Sequence, residues 1–150
     1  MDTPKIIVVP TDFSVAAEAA LDHAVALASK LGAKVYLLHA YELPIIGFPD
    51  GVVIPSAEIA TRIIADAEKG LASSVAKRKD SGVTIEPILK QADAREAILA
   101  VVEDLSADLV IMGTHGRRGI ARALIGSVAE AIVRVSPVPV LTVHATPTKR

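Results

Sequence analysis

Ile6-Ile7-Val8-Val9 is a run of branched apolar residues with nothing polar between them. A strand with one wet face alternates apolar and polar side chains, so an unbroken run predicts a strand buried on both faces. Comparable strands are expected over residues 5–10, 34–40, 83–89, 108–112 and 138–143. Between them the apolar spacing changes to that of helices. Leu21, Ala24, Ala28 and Leu31 mark a helix over 15–31, and Ile59, Ile63, Ala67, Leu71 and Val75 one over 56–81. Ile98, Val101, Val102 and Leu105 mark a third, and a fourth runs from 127 to about 135. Strands alternating with helices predict an α/β fold: a parallel sheet with right-handed crossovers and helices on both faces.

Local signals punctuate this pattern. Ser14 is placed to cap the first helix and Gly32 to end it. Asp93-Ala94-Arg95-Glu96 resembles a capping box, and Ser127-Val128-Ala129-Glu130 is a full one with Ser127 as the cap. Ser136-Pro137 breaks the last helix, and Gly82 ends the second. Residues 41–55 hold Pro44, Gly47, Pro49, Gly51 and Pro55 among Ile45, Ile46, Phe48, Val52, Val53 and Ile54. They read as a long, partly apolar loop of the kind used for lids and interfaces. Residues 145–150 read as a polar tail.

The 150 residues suit a single domain, 1–150, with its core over about 4–144. Lys and Arg number 16 against 17 Asp and Glu, so the basic excess of a nucleic-acid binder is missing. Aromatics at 3% leave little for stacking on single strands. The chain has no cysteine, which excludes disulfides, thiolate metal sites and cysteine nucleophiles. No apolar run nears the ~20 residues of a membrane span, and the opening apolar stretch is too short for a signal peptide. A cytoplasmic protein with no nucleic-acid or membrane partner is the expectation.

Chemistry concentrates where the fourth strand ends. Gly113 closes it, Gly116 follows after two residues, and Gly126-Ser127 precedes the last helix after nine more. Strand, glycine-rich loop and helix N-terminus form an arrangement that holds phosphate, because backbone N–H groups meet an anion with no Cβ in the way. Turn glycines ahead of a helix cap give the same spacing. Arg117, Arg118 and Arg122 suit phosphate pairing, although solvated loop charge is the commoner role for any one of them. His115 is a candidate phosphate contact. In α/β sheets ligands sit at the carboxyl ends of the strands, where Pro10-Thr11-Asp12 also lies. Asp12 suits Mg²⁺ or a ribose hydroxyl, and His39, ending the second strand, could lie near a base. The P-loop, Gly-x-Gly-x-x-Gly and Gly-x-Ser-x-Gly patterns are absent. A nucleotide-independent interaction module and an ATP hydrolase or nucleotidyl-transfer enzyme stand as alternatives, the enzyme having no base better placed than His115.

Three pieces together resemble the universal stress protein family: Ile6-Ile-Val-Val-Pro-Thr-Asp-Phe-Ser14, then Asp108 through Gly113-Thr-His-Gly-Arg-Arg-Gly119 to Gly126-Ser-Val-Ala-Glu130, and Ser136-Pro-Val-Pro-Val-Leu-Thr-Val143. The resemblance spans residues 6–143. The intact Gly-x2-Gly-x9-Gly-Ser pattern is that of the ATP-binding branch. The resemblance implies a Rossmann-like open sheet of order 3-2-1-4-5, with ATP and Mg²⁺ as ligands. It places Asp12 near ribose or metal, and Thr11, Ala40 and Met112 around adenine. Gly113, Gly116, Gly126, Ser127 and Val128 would meet ribose and phosphates, with Arg117 a weaker contact. It also implies a homodimer through the last strand, residues 138–143, and a stress-regulatory binding protein that is at most a slow ATPase. Residues 44–55 match no pattern of the family.

Overall fold

The computed structural model describes residues 2–115 and 125–145. Among the described residues, seven strands and four α-helices run in the order β1 (Ile6–Pro10), α1 (Val15–Leu31), β2 (Lys34–Tyr41), β3 (Ile46–Phe48), β4 (Gly51–Val53), α2 (Ala57–Ala76), β5 (Ile85–Gln91), α3 (Ala94–Asp104), β6 (Leu109–Gly113), α4 (Ser127–Val135) and β7 (Val140–Val143). Five of the strands form one sheet of order β5-β2-β1-β6-β7, parallel throughout. Counting those five in chain order, this is the expected 3-2-1-4-5.

The unbroken run of β1 has a direct explanation. Ile7, Val8 and Val9 are fully buried, but on different faces. Ile7 and Val9 join Val35, Leu37 and Ile111 in a cluster closed by Leu21 of α1 and Leu71 of α2. Val8 joins Leu38, Val110 and Met112 beneath Ile98 and Val101 of α3 and Ile132 of α4. A central strand sandwiched between two helical layers has no wet face on which to alternate. Its start is pinned to β6 by one carboxylate: Asp108 Oδ2 accepts from the backbone N–H groups of Lys5 and Ile6 at 2.8 and 2.9 Å. Those two bonds hold the Asp108 carboxyl below its usual range.

The helix signals resolve residue by residue. Ser14 caps α1 by accepting from Ala17 N at 3.2 Å, and Gly32 leaves the helix in the left-handed region at φ 63°. Asp93 caps α3, accepting from Arg95 N and Glu96 N. Five expectations need correction. The helix expected over 56–81 ends at Ala76, and the chain tightens into a 3₁₀ turn over Lys79–Ser81 before Gly82. The strand expected over 83–89 is shifted to Ile85–Gln91, and the last begins at Val140, after Pro139. Residues 41–55 contain a β-hairpin, β3 paired antiparallel to β4 around Pro49-Asp50, with every residue of both strands exposed. Ser127 is not the cap of α4. Gly126 is, with no side-chain capping bond, because the first helical bond runs from Glu130 N to Gly126 O. Glu130 turns to Arg134 instead of back to the cap.

Candidate functional site

The carboxyl ends of β1 and β6, the two central strands, diverge below the N-terminus of α4. Between them lies a cavity of about 500 Å³, within the usual range for small-molecule sites. β1 and the turn after it contribute Pro10, Thr11 and Asp12, and β2 contributes His39 and Ala40. β6 and its extension contribute Met112, Gly113, Thr114 and His115. The last helix adds Gly126, Ser127 and Val128. Ten of the twelve residues expected from the sequence therefore line one space. The other two, Gly116 and Arg117, lie outside the described residues, as do Arg118 and Arg122.

The β1 turn is built to hold its shape. Thr11 N donates to Leu38 O at 2.8 Å, and Thr11 Oγ1 accepts from Phe13 N at 3.0 Å. Asp12 Oδ1 accepts from Ser14 N at 3.0 Å, closing an Asx turn into the cap of α1. Phe13 sits at φ 64°, in the left-handed region that a bulky residue seldom adopts. Packing holds it there. Its ring lies 4.5 Å from the His39 ring, centroid to centroid, and fills the space beside Gly70, where a Cβ would come within 2.7 Å of Phe13 Cζ. Gly70 thus lets α2 seat the aromatic ring that braces the turn. His39 Nδ1 lies 2.7 Å from Thr11 O. A carbonyl can only accept, so that nitrogen carries the proton and His39 locks the same turn from β2.

The opposite wall is backbone. Thr114 N donates to Val143 O, and Gly126 N donates back to Thr114 O, which sets the start of α4 directly beside the end of β6. With Gly126 as the cap, the N–H groups of Ser127, Val128 and Ala129 belong to the first turn, which makes no intrahelical bonds, and the dipole there is positive. Correcting the cap changes the role open to Ser127: its hydroxyl makes no capping bond. His115 Nε2 is buried with no hydrogen-bond partner among the described residues. Among the described residues no group of three or more His, Asp and Glu could hold a metal ion alone. A cation at Asp12 would need ligand oxygens to complete its shell.

Sequence reasoning missed part of the lining. Leu38, Ala94, Ile98 and Ile125 give the cavity its apolar walls, and Thr114 is buried in it. The apolar residues signalled core, which they also are. No helix is long and apolar enough to cross a membrane among the described residues.

Comparison with known proteins agrees with this architecture. The model of the universal stress protein family matches residues 3–144. The universal stress protein MJ0577 of Methanocaldococcus jannaschii is 30% identical over 152 residues, covering 93% of this chain and 94% of its own. A universal stress protein of Thermus aquaticus is 36% identical over 142 residues, covering 93% and 98%. The solved structure of MJ0577 superposes with a TM-score of 0.80 at 26% identity, across 98% of this chain and all of that one. A universal stress protein solved in complex with cAMP gives 0.68 at 27% identity, across 97% and 100%. The chain belongs to the universal stress protein family.

Proposed function

We propose that this protein binds ATP in the cavity between β1 and β6 and acts as a nucleotide-responsive regulatory binding protein. The observation that carries the reading is the cavity itself: a mostly apolar space at the switch point of a parallel sheet, with the first turn of α4 as one wall. The cAMP complex of a relative supports an adenine nucleotide as the ligand class. In this reading the adenine lies by Thr11, Ala40 and Met112, whose side chains and backbone offer an apolar slot. Ribose and phosphates follow towards Gly113, Gly126, Ser127 and Val128. Asp12 meets the ribose or a Mg²⁺ ion shared with phosphate oxygens. His115, Gly116 and Arg117 complete the anion side.

The proposed action is binding, with hydrolysis at most slow. ATP shifts the protein between surface states only by as much as it prefers one of them. The protein works in this reading as a cytoplasmic homodimer, paired along β7. The two sheet edges support that choice. β5 carries Glu86, Lys90 and Pro87, residues that discourage strand addition, whereas β7 is Val-Leu-Thr-Val with Leu141 exposed.

Calorimetric titration of nucleotide-stripped protein with Mg-ATP, AMP, cAMP and GTP tests the ligand. Micromolar binding of an adenine nucleotide, about −8 kcal/mol, and none of GTP is the expected result. Folded protein that takes up none of them refutes the proposal.

A further inference from the structure

Thr114 stands between two imidazoles. Its Oγ1 lies 3.0 Å from Nδ1 of His115 and 3.0 Å from Nδ1 of His144. The Val143 carbonyl oxygen is 3.5 Å away. Thr114 is 1% exposed, so these groups rather than bulk water serve its hydroxyl. A hydroxyl has one proton to give and two lone pairs to receive. At 3.5 Å the carbonyl is at the outer limit for a hydroxyl donor and the weaker acceptor beside imidazole nitrogens at 3.0 Å, so the proton favours an imidazole. Thr114 therefore donates to one Nδ1 and accepts from the other. In that arrangement the two histidines take complementary tautomers: one neutral ring carries its proton on Nε2, the other on Nδ1.

The cavity decides between the two arrangements. His115 lines it beside the first turn of α4, and among the described residues His115 Nε2 is buried without a partner. A buried polar atom in that state needs a reason. If His115 gave a proton from Nδ1 to Thr114, the neutral ring would bring an Nε2 lone pair to an anion. If it takes the Thr114 proton at Nδ1, it presents an Nε2–H donor. The second arrangement suits the positive end of α4, where the phosphates of the proposed ligand lie. Resting on that nucleotide reading, we infer that Thr114 and His144 set the tautomer of His115, so that its Nε2–H donates to a phosphate oxygen. His115 touches the ligand. Thr114 and His144 act through it as positioning residues, with His144 in the Nδ1–H form. The bridge joins β6 to the end of β7, placing the two histidine rings 6.3 Å apart.

The test combines titration with a direct reading of the protons. Wild type, Thr114→Val and Thr114→Ser are titrated with Mg-ATP and with adenosine, which lacks phosphate. The imidazole ¹⁵N resonances of wild type are followed with and without Mg-ATP. Thr114→Val should weaken ATP binding about tenfold, the order expected for a hydrogen bond to a charged group. Adenosine binding should stay within twofold, and Thr114→Ser should retain wild-type affinity for both. In the ATP complex, His115 should be protonated at Nε2 and His144 at Nδ1. Equal weakening of ATP and adenosine in Thr114→Val makes Thr114 a packing residue and overturns the inference. So does unchanged ATP affinity, or a His115 proton on Nδ1 in the complex. If Thr114→Val does not fold, the wild-type ¹⁵N signals decide alone. Wild type that binds neither probe overturns the nucleotide reading and this inference with it, whereas ATP binding with the wrong tautomer overturns the inference alone.

Discussion

Two glycines of one motif do different work. A Cβ on Gly113 would lie 2.8 Å from the Ala16 carbonyl carbon and 2.9 Å from Ala16 Cβ. The end of β6 therefore presses on the backbone of α1, and Gly113 is a packing requirement before it is a ligand contact. Gly126 has φ −62° and ψ 157°, a conformation open to any residue. Gly113→Ala should cost about 1–3 kcal/mol from overpacking, read from chemical denaturation. Gly126→Val should abolish nucleotide binding while shifting stability by about 1 kcal/mol at most, the size of a cap change. Equal stability losses in the two variants would refute this division. The sequence identified both glycines but could not separate them, because the approach of Ala16 is a tertiary fact. Thr114 was hidden for the same reason: its partner His144 lies 30 residues away.

At the scale of elements, the most concentrated polar contact joins α1 to the end of α2. Arg78, with its side chain 9% exposed, pairs with Glu18 at 2.9 Å and Asp22 at 2.8 Å, and donates to the carbonyls of Ser74 and Glu18. Glu18 also accepts from Ser74 Oγ at 2.6 Å. Burial pushes the Glu18 carboxyl up, but the hydrogen bonds from Ser74 and Arg78 and the Arg78 charge outweigh it and hold the carboxyl below its ordinary value. A carboxyl lowered by folding contributes stability above its unfolded value, about 4.3 for glutamate, and loses it as pH falls through the folded value. Wild type should therefore lose stability on acidification below that range, and Glu18→Gln should lose less, measured by denaturation midpoints across acid pH. Arg78→Ala should cost ~3 kcal/mol at neutral pH, because it leaves Glu18 partly buried without its cation. Identical acid slopes in wild type and Glu18→Gln would place the titration elsewhere. Local signals for Ser14, Gly32 and Asp93 were legible because each acts within a turn. The hairpin carried its own signal, Pro49-Asp50-Gly51, a turn sequence between apolar pairs. The surrounding prolines and glycines masked it, and its strands of three residues are too short for a periodicity.

For the whole molecule, alternating elements made the parallel sheet and its two helical layers legible, whereas the strand order came from family resemblance. Periodicity says which face a residue takes, not which strand lies beside it. The surface is unevenly protected. Ile45, Ile46, Phe48, Val52, Val53 and Ile54 on and beside the hairpin are each more than half exposed, and β7 is an edge strand with no strand beyond it among the described residues. In the proposed homodimer, β7 holds the contact. Leu141→Lys should then yield monomers by light scattering at micromolar concentration without loss of the fold. A persistent dimer would move the contact away from β7, with the hairpin the next surface to substitute.

The sheet order also constrains how the chain comes off the ribosome. Within this sheet β1 is made before the other strands and occupies the middle, yet one of its two edges is closed by β6, whose pairing starts at Leu109. β2 can join it early through the register Ile6↔Lys34. Until β6 arrives, Ile7, Val8 and Val9 border an unfilled edge, and the Lys5 and Ile6 amides wait for a carboxylate 102 to 103 residues downstream. Such a distant closing contact slows folding and lengthens the exposure of an aggregation-prone strand. The strand of this sheet that is synthesised before the others is thus among the last to be completed, and a nascent chain stalled before residue 109 holds its future core as a sticky edge.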